Sequence, residues 1–328
     1  MNTEKIKKIK IAAVVGCTAS GKTALAIELA KRLNGEIISC DSMQIYKGMD
    51  IGTAKATKEE QAQVKHHLID FVDPSVTYSC ADYVRDARAA VDDIISRGKL
   101  PIFCGGTGLY LDRFLKGGND ENAECDPQYR EGLFAVSEEI GGIEKLHAML
   151  CELDPESGAS IHKNNVKRVI RALEIIHATG RKKSEIDKEN SAMSDEYESL
   201  IVYPFYSNRD ILYSRIDKRV DIMMENGLLE ETLSLYKNGI FEICPTASQA
   251  IGYKELLPYI KGEDTLESCI EKLKVATRRY AKRQNTWFNQ KDYAEKIYMD
   301  DENGIKTFEE IVNILEKLFI NRNFCDII

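Results

Sequence analysis

The sequence of 328 residues predicts an α/β fold: a parallel β-sheet core of the P-loop NTPase type, flanked by helices, with an all-helical insertion domain. Three observations predict this fold. Residues 16–23 fit the phosphate-loop pattern G-x-x-x-x-G-K-[ST] at every fixed position. Residues 1–117 alternate strand-like and helix-like segments, whereas residues 118–198 have helical periodicity and no convincing strand. We therefore expect a core domain of residues 1–117 and 199–328 and an insertion of residues 118–198.

The phosphate loop follows an apolar, β-branched run, Ile9–Val15, and precedes a segment of helical periodicity, Lys22–Leu33. Glycine at two fixed positions lets main-chain N–H groups approach phosphate oxygens, and the following helix points its positive dipole end at the anion. Lys22 supplies a mobile charge, and the Thr23 hydroxyl is placed to ligate Mg²⁺. The predicted phosphate-binding residues are Gly16, Cys17, Thr18, Ala19, Ser20, Gly21, Lys22 and Thr23.

Composition indicates an ordinary globular protein, because apolar residues make up 43% of the chain. The net charge of −8 argues against indiscriminate nucleic-acid binding but leaves room for a local basic surface. The nine cysteines form no C-x-x-C pair, which favours reduced thiols over disulfides or a zinc site. Neither a signal peptide nor a transmembrane segment is evident. We expect a cytoplasmic monomer with no membrane partner.

Further strands of the core are predicted at Glu36–Cys40, Leu68–Val72 and Leu100–Cys104, with a helix from the N-cap Ser79 to Arg97. In an open α/β sheet, ligands bind beyond the carboxyl ends of the strands. We therefore expect the polar residues that follow these strands to converge with the phosphate loop on one crevice: Asp41, Asp73 and Thr107.

After the insertion the pattern returns to strand and helix. Ser199–Tyr206 predicts a core strand, and Glu295–Met299 predicts a last strand. Helices are predicted at Asn208–Gly227, Leu228–Gly239, Glu263–Gln290 and Thr307–Asn321.

Several side chains near the predicted crevice are candidates for chemistry. Asp41 is a candidate proton acceptor, and turn or helix capping explains its position equally well. The Thr107 hydroxyl is placed to orient a substrate or to cap the next helix. Arg215 and Arg219 lie one helical turn apart, so one face either presents guanidinium groups to a leaving phosphate or forms solvated ion pairs. His66–His67 is a poor metal site, since neighbours in a strand point to opposite sides.

The predicted helix 263–290 carries a basic stripe followed by aromatic residues. This is the pattern expected for contact with nucleic-acid phosphates and bases, and an exposed helix face is the alternative. The stripe contains Lys274, Arg278, Arg279, Lys282 and Arg283. The phosphate loop alone suggests an ATP-dependent small-molecule kinase, and the alternative is a non-enzymatic RNA-binding protein that uses nucleotide only as a structural ligand. No Walker-B aspartate follows the strand 100–104, which argues against a nucleotide-driven switch or motor.

Seven motifs in order span nearly the whole chain: GCTASGKT (16–23), DSMQIYKGMDIGTAK (41–55), HHLID (66–70), GGTGLYLD (105–112), KRVIRALE (167–174), QAIGYKE (249–255) and TRRYAKRQNTWF (277–288). Together they resemble the motifs of the bacterial tRNA dimethylallyltransferases, also called tRNA isopentenyltransferases. Cys17 departs from that pattern, which commonly has proline there. The zinc finger of the eukaryotic members has no counterpart, because the chain has no C-x-x-C pair.

The resemblance implies transfer of a dimethylallyl group from dimethylallyl diphosphate to the exocyclic amine of the adenosine just 3′ of a tRNA anticodon, with release of diphosphate. The phosphate loop would then hold the donor diphosphate with Mg²⁺. Asp41 matches the proposed general base, Thr107 the threonine that helps to seat the reaction, and Arg219 an arginine that neutralises the leaving group. A stacked adenosine cannot reach the donor, so the base is expected to flip into a channel.

The resemblance also implies that tRNA is the macromolecular partner, gripped in part by the helical insertion. The implied tRNA-binding residues are Asp41, Ser42, Met43, Gln44, Thr107, Arg130, Lys167, Arg168, Val169, Ile170, Arg171, Gln249, Gly252, Tyr253, Lys254, Arg278, Arg279, Lys282, Arg283 and Gln284.

Overall fold

A computed structural model describes residues 8–117, 126–190, 192–244 and 246–324. Its six-stranded sheet is parallel throughout, in the order β3-β2-β4-β1-β5-β6, and a separate antiparallel pair joins β7 to β8. The strands are β1 (Ile9–Val15), β2 (Gly35–Ser39), β3 (His66–His67), β4 (Leu100–Gly105), β5 (Tyr197–Phe205), β6 (Ala294–Tyr298), β7 (Asp300–Asp301) and β8 (Gly304–Ile305).

Fifteen α-helices and one short 3₁₀ helix, Ala247–Gln249, are present in the described ranges. The helices are α1 (Lys22–Arg32), α2 (Lys58–Gln63), α3 (Cys80–Ser96), α4 (Gly108–Leu115), α5 (Pro127–Glu138), α6 (Gly142–Leu153), α7 (Pro155–Ser160), α8 (Val166–Thr179), α9 (Lys183–Glu189), α10 (Arg209–Glu225), α11 (Leu228–Lys237), α12 (Ile240–Ile243), α13 (Leu257–Ile260), α14 (Leu266–Asn289) and α15 (Phe308–Asn321).

The chain divides into two compact units, one containing Met1–Phe114 and Asp195–Ile328 and the other containing Leu115–Ser194. In the first unit, which we call the α/β unit, apolar residues of β1 and β4 pack against α1 and α15. A second apolar cluster of this unit surrounds Tyr46, Tyr253 and Leu273. The other unit, which we call the helical unit, has its own core, formed by Leu133, Leu146, Leu150, Val169, Ile170, Ala172 and Leu173.

The parallel α/β fold predicted from the sequence is confirmed. Strand β1 lies between β4 and β5, and its residues from Ile11 to Val15 are at most 1% exposed. A parallel strand covered on both faces has a continuous apolar sequence, which is why this run was recognisable. Ser79 is the N-cap of α3, and its side chain accepts a hydrogen bond from the Asp82 main chain in a capping box.

The predicted strand Leu68–Val72 is wrong. Of residues 66–72, only His66–His67 pairs with β2. Leu68 and Asp70 then adopt positive φ angles of 55° each. The Asp70 carboxylate accepts a hydrogen bond of 2.8 Å from the Lys55 ammonium, so the chain turns back toward residues 46–55. Val72 then forms a single parallel bridge with Tyr46. Of this run only Val72 is buried in a core, and the run does not extend the sheet.

Two smaller points complete the fold. Residues 118–125, at the start of the predicted insertion, lie outside the described residues. Among the helices that the structure describes, none combines the length and the apolar composition needed to cross a bilayer.

Candidate active site

The phosphate loop leaves the carboxyl end of β1 through two glycines with positive φ, Gly16 at 144° and Gly21 at 89°. Gly21 is the N-cap of α1, so the helix begins directly at the loop. Ala19 also has a positive φ, 61°, a conformation that residues with a side chain seldom adopt. These positive φ angles curve the loop so that its main-chain N–H groups can face an anion.

Two cations of the α/β unit are oriented toward this loop. The Lys22 ammonium donates a 3.2 Å hydrogen bond to the Cys17 carbonyl oxygen, and burial together with the nearby Arg219 charge lowers the pKa of Lys22. Burial also lowers the pKa of Arg219, whose Nε is buried without a hydrogen-bond partner. Within the described ranges, no carboxylate lies within 4.0 Å of either cation. Among the described residues these two cations therefore have no ion-pair partner, and Asp41 favours their charged forms only from beyond ion-pair distance.

The neighbouring arginine has a different role. Arg215 Nε donates a 2.9 Å hydrogen bond to the Ala19 carbonyl oxygen, and its guanidinium lies 5.5 Å from the centroid of the Tyr206 ring. These contacts hold the strained turn of the phosphate loop against α10. Of the two arginines predicted on one face of this helix, Arg215 supports the loop and Arg219 faces the space beside Lys22.

Of the three residues predicted to converge on one crevice, Asp41 and Thr107 lie together at the turn 41–44, whereas Asp73 lies in an exposed turn of its own. One oxygen of the Asp41 carboxylate accepts hydrogen bonds from the main-chain N–H groups of Met43 and Gln44, at 2.9 and 3.4 Å. The Thr107 hydroxyl accepts a 3.0 Å hydrogen bond from the Ser42 N–H, which links the ends of β2 and β4. Asp41 thus caps its own turn with one oxygen. The Thr107 hydroxyl therefore bonds the segment after β2, and the predicted cap of the next helix, α4, is not its contact.

Two cavities open on either side of Lys22 and Arg219. The larger has a volume of about 680 Å³ and the smaller about 270 Å³, and Lys22, Arg219 and Met223 line both. The larger cavity is lined by two acidic residues, Asp50 and Glu60, and by six basic residues: Lys22, Lys55, Lys58, Arg215, Lys218 and Arg219. Of the six, Lys55 is buried and already paired with Asp50 and Asp70. Thr23 also lines it. The smaller cavity is lined by nine of the residues predicted to bind tRNA: Asp41, Ser42, Met43, Gln44, Gln249, Gly252, Lys254, Arg283 and Gln284.

The segment 50–54 contributes residues to both cavities and is held by Glu231 of α11. The Glu231 carboxylate accepts hydrogen bonds from the main-chain N–H groups of Asp50, Ile51 and Gly52, at 2.9 to 3.0 Å. It also accepts a 2.8 Å hydrogen bond from the Tyr253 hydroxyl. The sequence offered no signal for Glu231, because three of its four donors are main-chain groups about 180 residues away.

Some predicted tRNA-binding residues are committed to internal contacts. Gln284 is 5% exposed, and its amide accepts from the Thr18 N–H at 2.9 Å and donates to the Gly106 carbonyl oxygen at 3.0 Å. Tyr253 is fully buried, with its ring against Gly52. The Gln44 amide donates to the carbonyl oxygens of Thr53 and Ala54. These residues shape the cavities, and two of them, Gln284 and Gln44, also line the smaller one.

The basic stripe of α14 separates into two groups. Lys274 and Arg278 form ion pairs with Asp221 and Asp217, at 2.7 and 2.6 Å. Toward the end of the helix, three exposed cations have no carboxylate within 4.0 Å in the part of the chain that is described: Arg279, Lys282 and Arg283. Arg283 also lies 5.5 Å from the Tyr280 ring centroid, and Tyr280 lines the smaller cavity.

In the helical unit, the predicted residues of α8 divide by the face on which they lie. Val169 and Ile170 are 1% exposed and belong to the core of the unit. Lys167, Arg168 and Arg171 are exposed on the same helix, and Arg130 is exposed on α5. The two buried residues therefore support a basic surface and do not themselves form part of it.

Fold and site together define a phosphate-loop α/β protein whose loop faces a mainly cationic cavity beside a second cavity that Asp41 lines. A family model described as IPP transferase matches residues 44–291, and one described as isopentenyl transferase matches residues 9–78. The chain belongs to the IPP transferase family.

Individual relatives agree with this assignment. A tRNA dimethylallyltransferase of Caldanaerobacter subterraneus subsp. tengcongensis is 45% identical over 94% of this chain and 98% of that protein. The crystal structure of the full-length tRNA isopentenylpyrophosphate transferase from Bacillus halodurans is similar with a TM-score of 0.70 and 44% identity, covering 96% of each chain. A eukaryotic dimethylallyltransferase acting on tRNA is similar with a TM-score of 0.75 and 34% identity, over 86% of this chain and 70% of that one.

Proposed function

We propose that this chain transfers a dimethylallyl group from dimethylallyl diphosphate to the exocyclic amine of the adenosine 3′-adjacent to the anticodon of certain tRNAs, releasing diphosphate. The family assignment supports this proposal, because full-length relatives carry the name tRNA dimethylallyltransferase. The observation that carries it is the meeting of two cavities at Lys22 and Arg219, one cationic and one lined by Asp41. Such a pair of cavities suits two substrates that react where the cavities meet.

The phosphate loop and its cations suit the departing diphosphate. As the bond between the adenosine nitrogen and the allylic carbon forms, the bond from that carbon to the diphosphate oxygen breaks, and its electron pair leaves with the diphosphate. Lys22 and Arg219 offset the charge that develops on this oxygen. Because neither has a carboxylate partner among the described residues, their charge is available to the substrate.

The attacking amine must lose one proton after the new bond forms. Asp41 is the proposed acceptor, since it lines the smaller cavity and only one of its two oxygens is engaged by main-chain N–H groups. Thr107 would hold the Ser42 main chain beside it through the 3.0 Å hydrogen bond between the two strand ends. Both residues therefore act at the acceptor and not at the diphosphate.

Mg²⁺ fits the larger cavity. Mg²⁺ bound with phosphates typically takes one or two protein oxygens and completes its shell with substrate oxygens and water. Thr23 lines the cavity beside Lys22, so its hydroxyl would hold the ion together with the diphosphate. When bound, Mg²⁺ supplies further positive charge to the leaving group.

The acceptor base must leave its stack to reach the smaller cavity. We propose that exposed cations contact the tRNA phosphates: Arg279, Lys282 and Arg283 of the α/β unit and Arg130, Lys167, Arg168 and Arg171 of the helical unit. This gives the helical unit the role of a tRNA-gripping domain. Since tRNA is the proposed partner, the proposed site of action is the cytoplasm. The monomeric state stays a prediction from the sequence.

The test is incubation of the purified chain with Mg²⁺, labelled dimethylallyl diphosphate and unmodified tRNA. We expect label in the RNA, released as a prenylated adenosine on nuclease digestion. A parallel reaction contains ATP and small acceptors in place of the donor and RNA. If the RNA contains no label and ADP forms in the parallel reaction, the proposed transferase function is wrong and the chain is a kinase.

A further inference from the structure

The two cavities of the α/β unit share one apolar side chain that the proposed chemistry does not use. Lys22, Arg219 and Met223 line both cavities, and of these only Met223 is apolar within the described residues. Met223 lies on α10, four residues after Arg219. Residues four apart on a helix are neighbours on one face, so Met223 and Arg219 project toward the same region.

The proposed reaction requires the allylic carbon of the donor to lie where the cavities meet. This carbon is bonded to the diphosphate oxygen whose charge Lys22 and Arg219 offset. The adenosine amine must approach the same carbon from the smaller cavity, to about 3 to 3.5 Å. The carbon chain of the donor therefore begins at the residues that line both cavities, and Met223 is the one that offers it apolar contact.

The chain has two directions open to it from this point. The larger cavity has apolar residues such as Ile51 and Ile222, but two acidic and six basic residues share its wall, and a chain there would take water from charged groups. In the smaller cavity, Met223 is accompanied by residues that belong to or pack against the second apolar cluster: Met43, Val220, Ala250, Ile251 and Leu273. Burial of apolar surface favours this second direction.

The second direction offers little space. The smaller cavity has a volume of about 270 Å³ and would also receive the acceptor base. A chain of one isoprene unit and the base share this volume, and a longer chain must displace a wall residue. Met223 is the wall residue at which the chain begins.

We infer that Met223 limits the length of the donor chain, because its side chain contacts the dimethylallyl group and occupies the space that a second isoprene unit needs. This inference rests on the proposed function, since it takes a prenyl diphosphate as the donor. It goes beyond that function by assigning the choice among prenyl diphosphates to one side chain. Methionine is flexible and fills irregular space, so the limit is a preference by shape and not an absolute block.

The experiment is a competition in one tube between equal concentrations of dimethylallyl diphosphate and geranyl diphosphate, which is one isoprene unit longer. The full chain, Mg²⁺ and unmodified tRNA are present, and the two prenylated adenosines are separated after nuclease digestion. Their ratio gives the ratio of the two kcat/KM values, which does not depend on how much of the protein is folded. We expect wild type to transfer mainly dimethylallyl, and Met223→Ala to raise the geranyl-to-dimethylallyl ratio about tenfold.

Met224→Ala is the matched control. Met224 is the next residue of α10 and, like Met223, packs against the second apolar cluster, but it lines neither of the two cavities. It should leave the ratio unchanged. Met223→Leu nearly conserves the volume of the side chain and should also keep the ratio of wild type. A Met223→Ala ratio equal to that of wild type, or an equal rise in Met224→Ala, would overturn the role of Met223.

Two results with wild type separate this inference from the proposed function. If wild type transfers geranyl as readily as dimethylallyl, the limit on chain length is wrong and the transferase function stands. If wild type transfers neither group to tRNA, the proposed function is wrong, and the role of Met223 with it. Should Met223→Ala fail to fold, Met223→Val removes less of the side chain and should raise the ratio about threefold. No rise in that variant would overturn the inference.

Discussion

At the amino-terminal edge of the large sheet a buried carboxylate is surrounded by basic side chains, whereas at the carboxyl-terminal edge two cations have no carboxylate within 4.0 Å in the described part of the chain. Glu36 is 2% exposed and accepts hydrogen bonds from Arg97, from Lys99 at 2.8 Å and from His67 at 2.7 Å. The hydrogen bond from Arg97, reinforced by Lys99 and His67, holds the pKa of Glu36 well below its usual range.

The cations at the opposite edge, Lys22 and Arg219, have lowered pKa values because burial disfavours their charged forms. The Glu36 carboxylate has its counter-charges within the protein. The described residues offer no ion-pair partner to Lys22 and Arg219, so their charges suit a bound anion. The Glu36, His67 and Asp93 ligand atoms lie within 4.8 Å of one another, yet the arginine and lysine beside them already satisfy the carboxylate. The comparison separates a cluster that stabilises the fold from a cluster that binds substrate.

The largest expected effect is at the incomplete cluster. Lys22→Met removes the charge nearest the phosphate loop and should lower kcat/KM for the donor by about 10³, as loss of a preorganised group that stabilises developing charge does. Steady-state prenylation of tRNA measures it. Lys58→Met is the control, because Lys58 lines the same cavity with a side chain that is 78% exposed. Equal losses in the two variants would mean that only the summed charge of the cavity matters.

Asp41→Asn should lower kcat by about 10² while leaving donor binding intact, as expected for loss of a positioned base. Asparagine retains an oxygen that can accept the Met43 and Gln44 N–H groups, so the turn should persist. Single-turnover prenylation gives the rate. Asp73→Asn alters a similar exposed turn, in which the carboxylate accepts from the Ser75 N–H at 2.9 Å, and should have no effect. If turnover in Asp41→Asn is unchanged, Asp41 is not the base and only caps the turn 41–44.

Glu36→Gln should lower the free energy of unfolding by about 2 kcal/mol, since it leaves the partly exposed cations Arg97 and Lys99 facing a neutral amide. Denaturant midpoints at pH 7 measure this loss, and kcat of the folded variant should stay at the wild-type value. Glu295→Gln is the control, because its ion pair with Arg322 is exposed and should contribute less than about 0.5 kcal/mol.

The same variant gives a pH dependence with a defined sign. The folded-state pKa of Glu36 lies below the unfolded-state value near 4.5, so its contribution is complete above that pH. As the pH falls below about 4.5, the unfolded chain takes up the proton first and the contribution decreases. The difference in stability between wild type and Glu36→Gln should therefore shrink at pH 3. A constant difference would place the stabilisation in packing and not in charge.

Local patterns made part of this molecule predictable. The phosphate loop was recognisable because its glycines, lysine and threonine lie within eight consecutive residues, Gly16–Thr23. The Ser79 cap was predictable for the same reason, since its partner Asp82 is three residues away. Strand β1 was predictable because burial on both faces requires an unbroken apolar run.

Contacts between distant residues were not predictable. Gln284 was assigned to tRNA because it lies in a basic stripe, but its amide bridges Thr18 and Gly106, which are 266 and 178 residues away. Glu231 carries no motif, since main-chain donors can belong to any residue type. Leu68–Val72 has strand composition, and only the pairing of Asp70 with Lys55 shows why the chain turns instead.

The smallest expected effect distinguishes the two parts of the α14 stripe. Arg278 forms a 2.6 Å ion pair with Asp217, whereas Lys282 is exposed without a carboxylate within 4.0 Å among the described residues. Lys282→Gln should weaken tRNA binding about threefold and reduce the slope of log Kd against log salt by about one, as loss of one phosphate contact does. Arg278→Gln should leave the slope unchanged, because its charge is already neutralised by Asp217. A reduced slope in Arg278→Gln but not in Lys282→Gln would show that the ion pair opens on binding and that exposure alone does not identify the phosphate contacts of this helix.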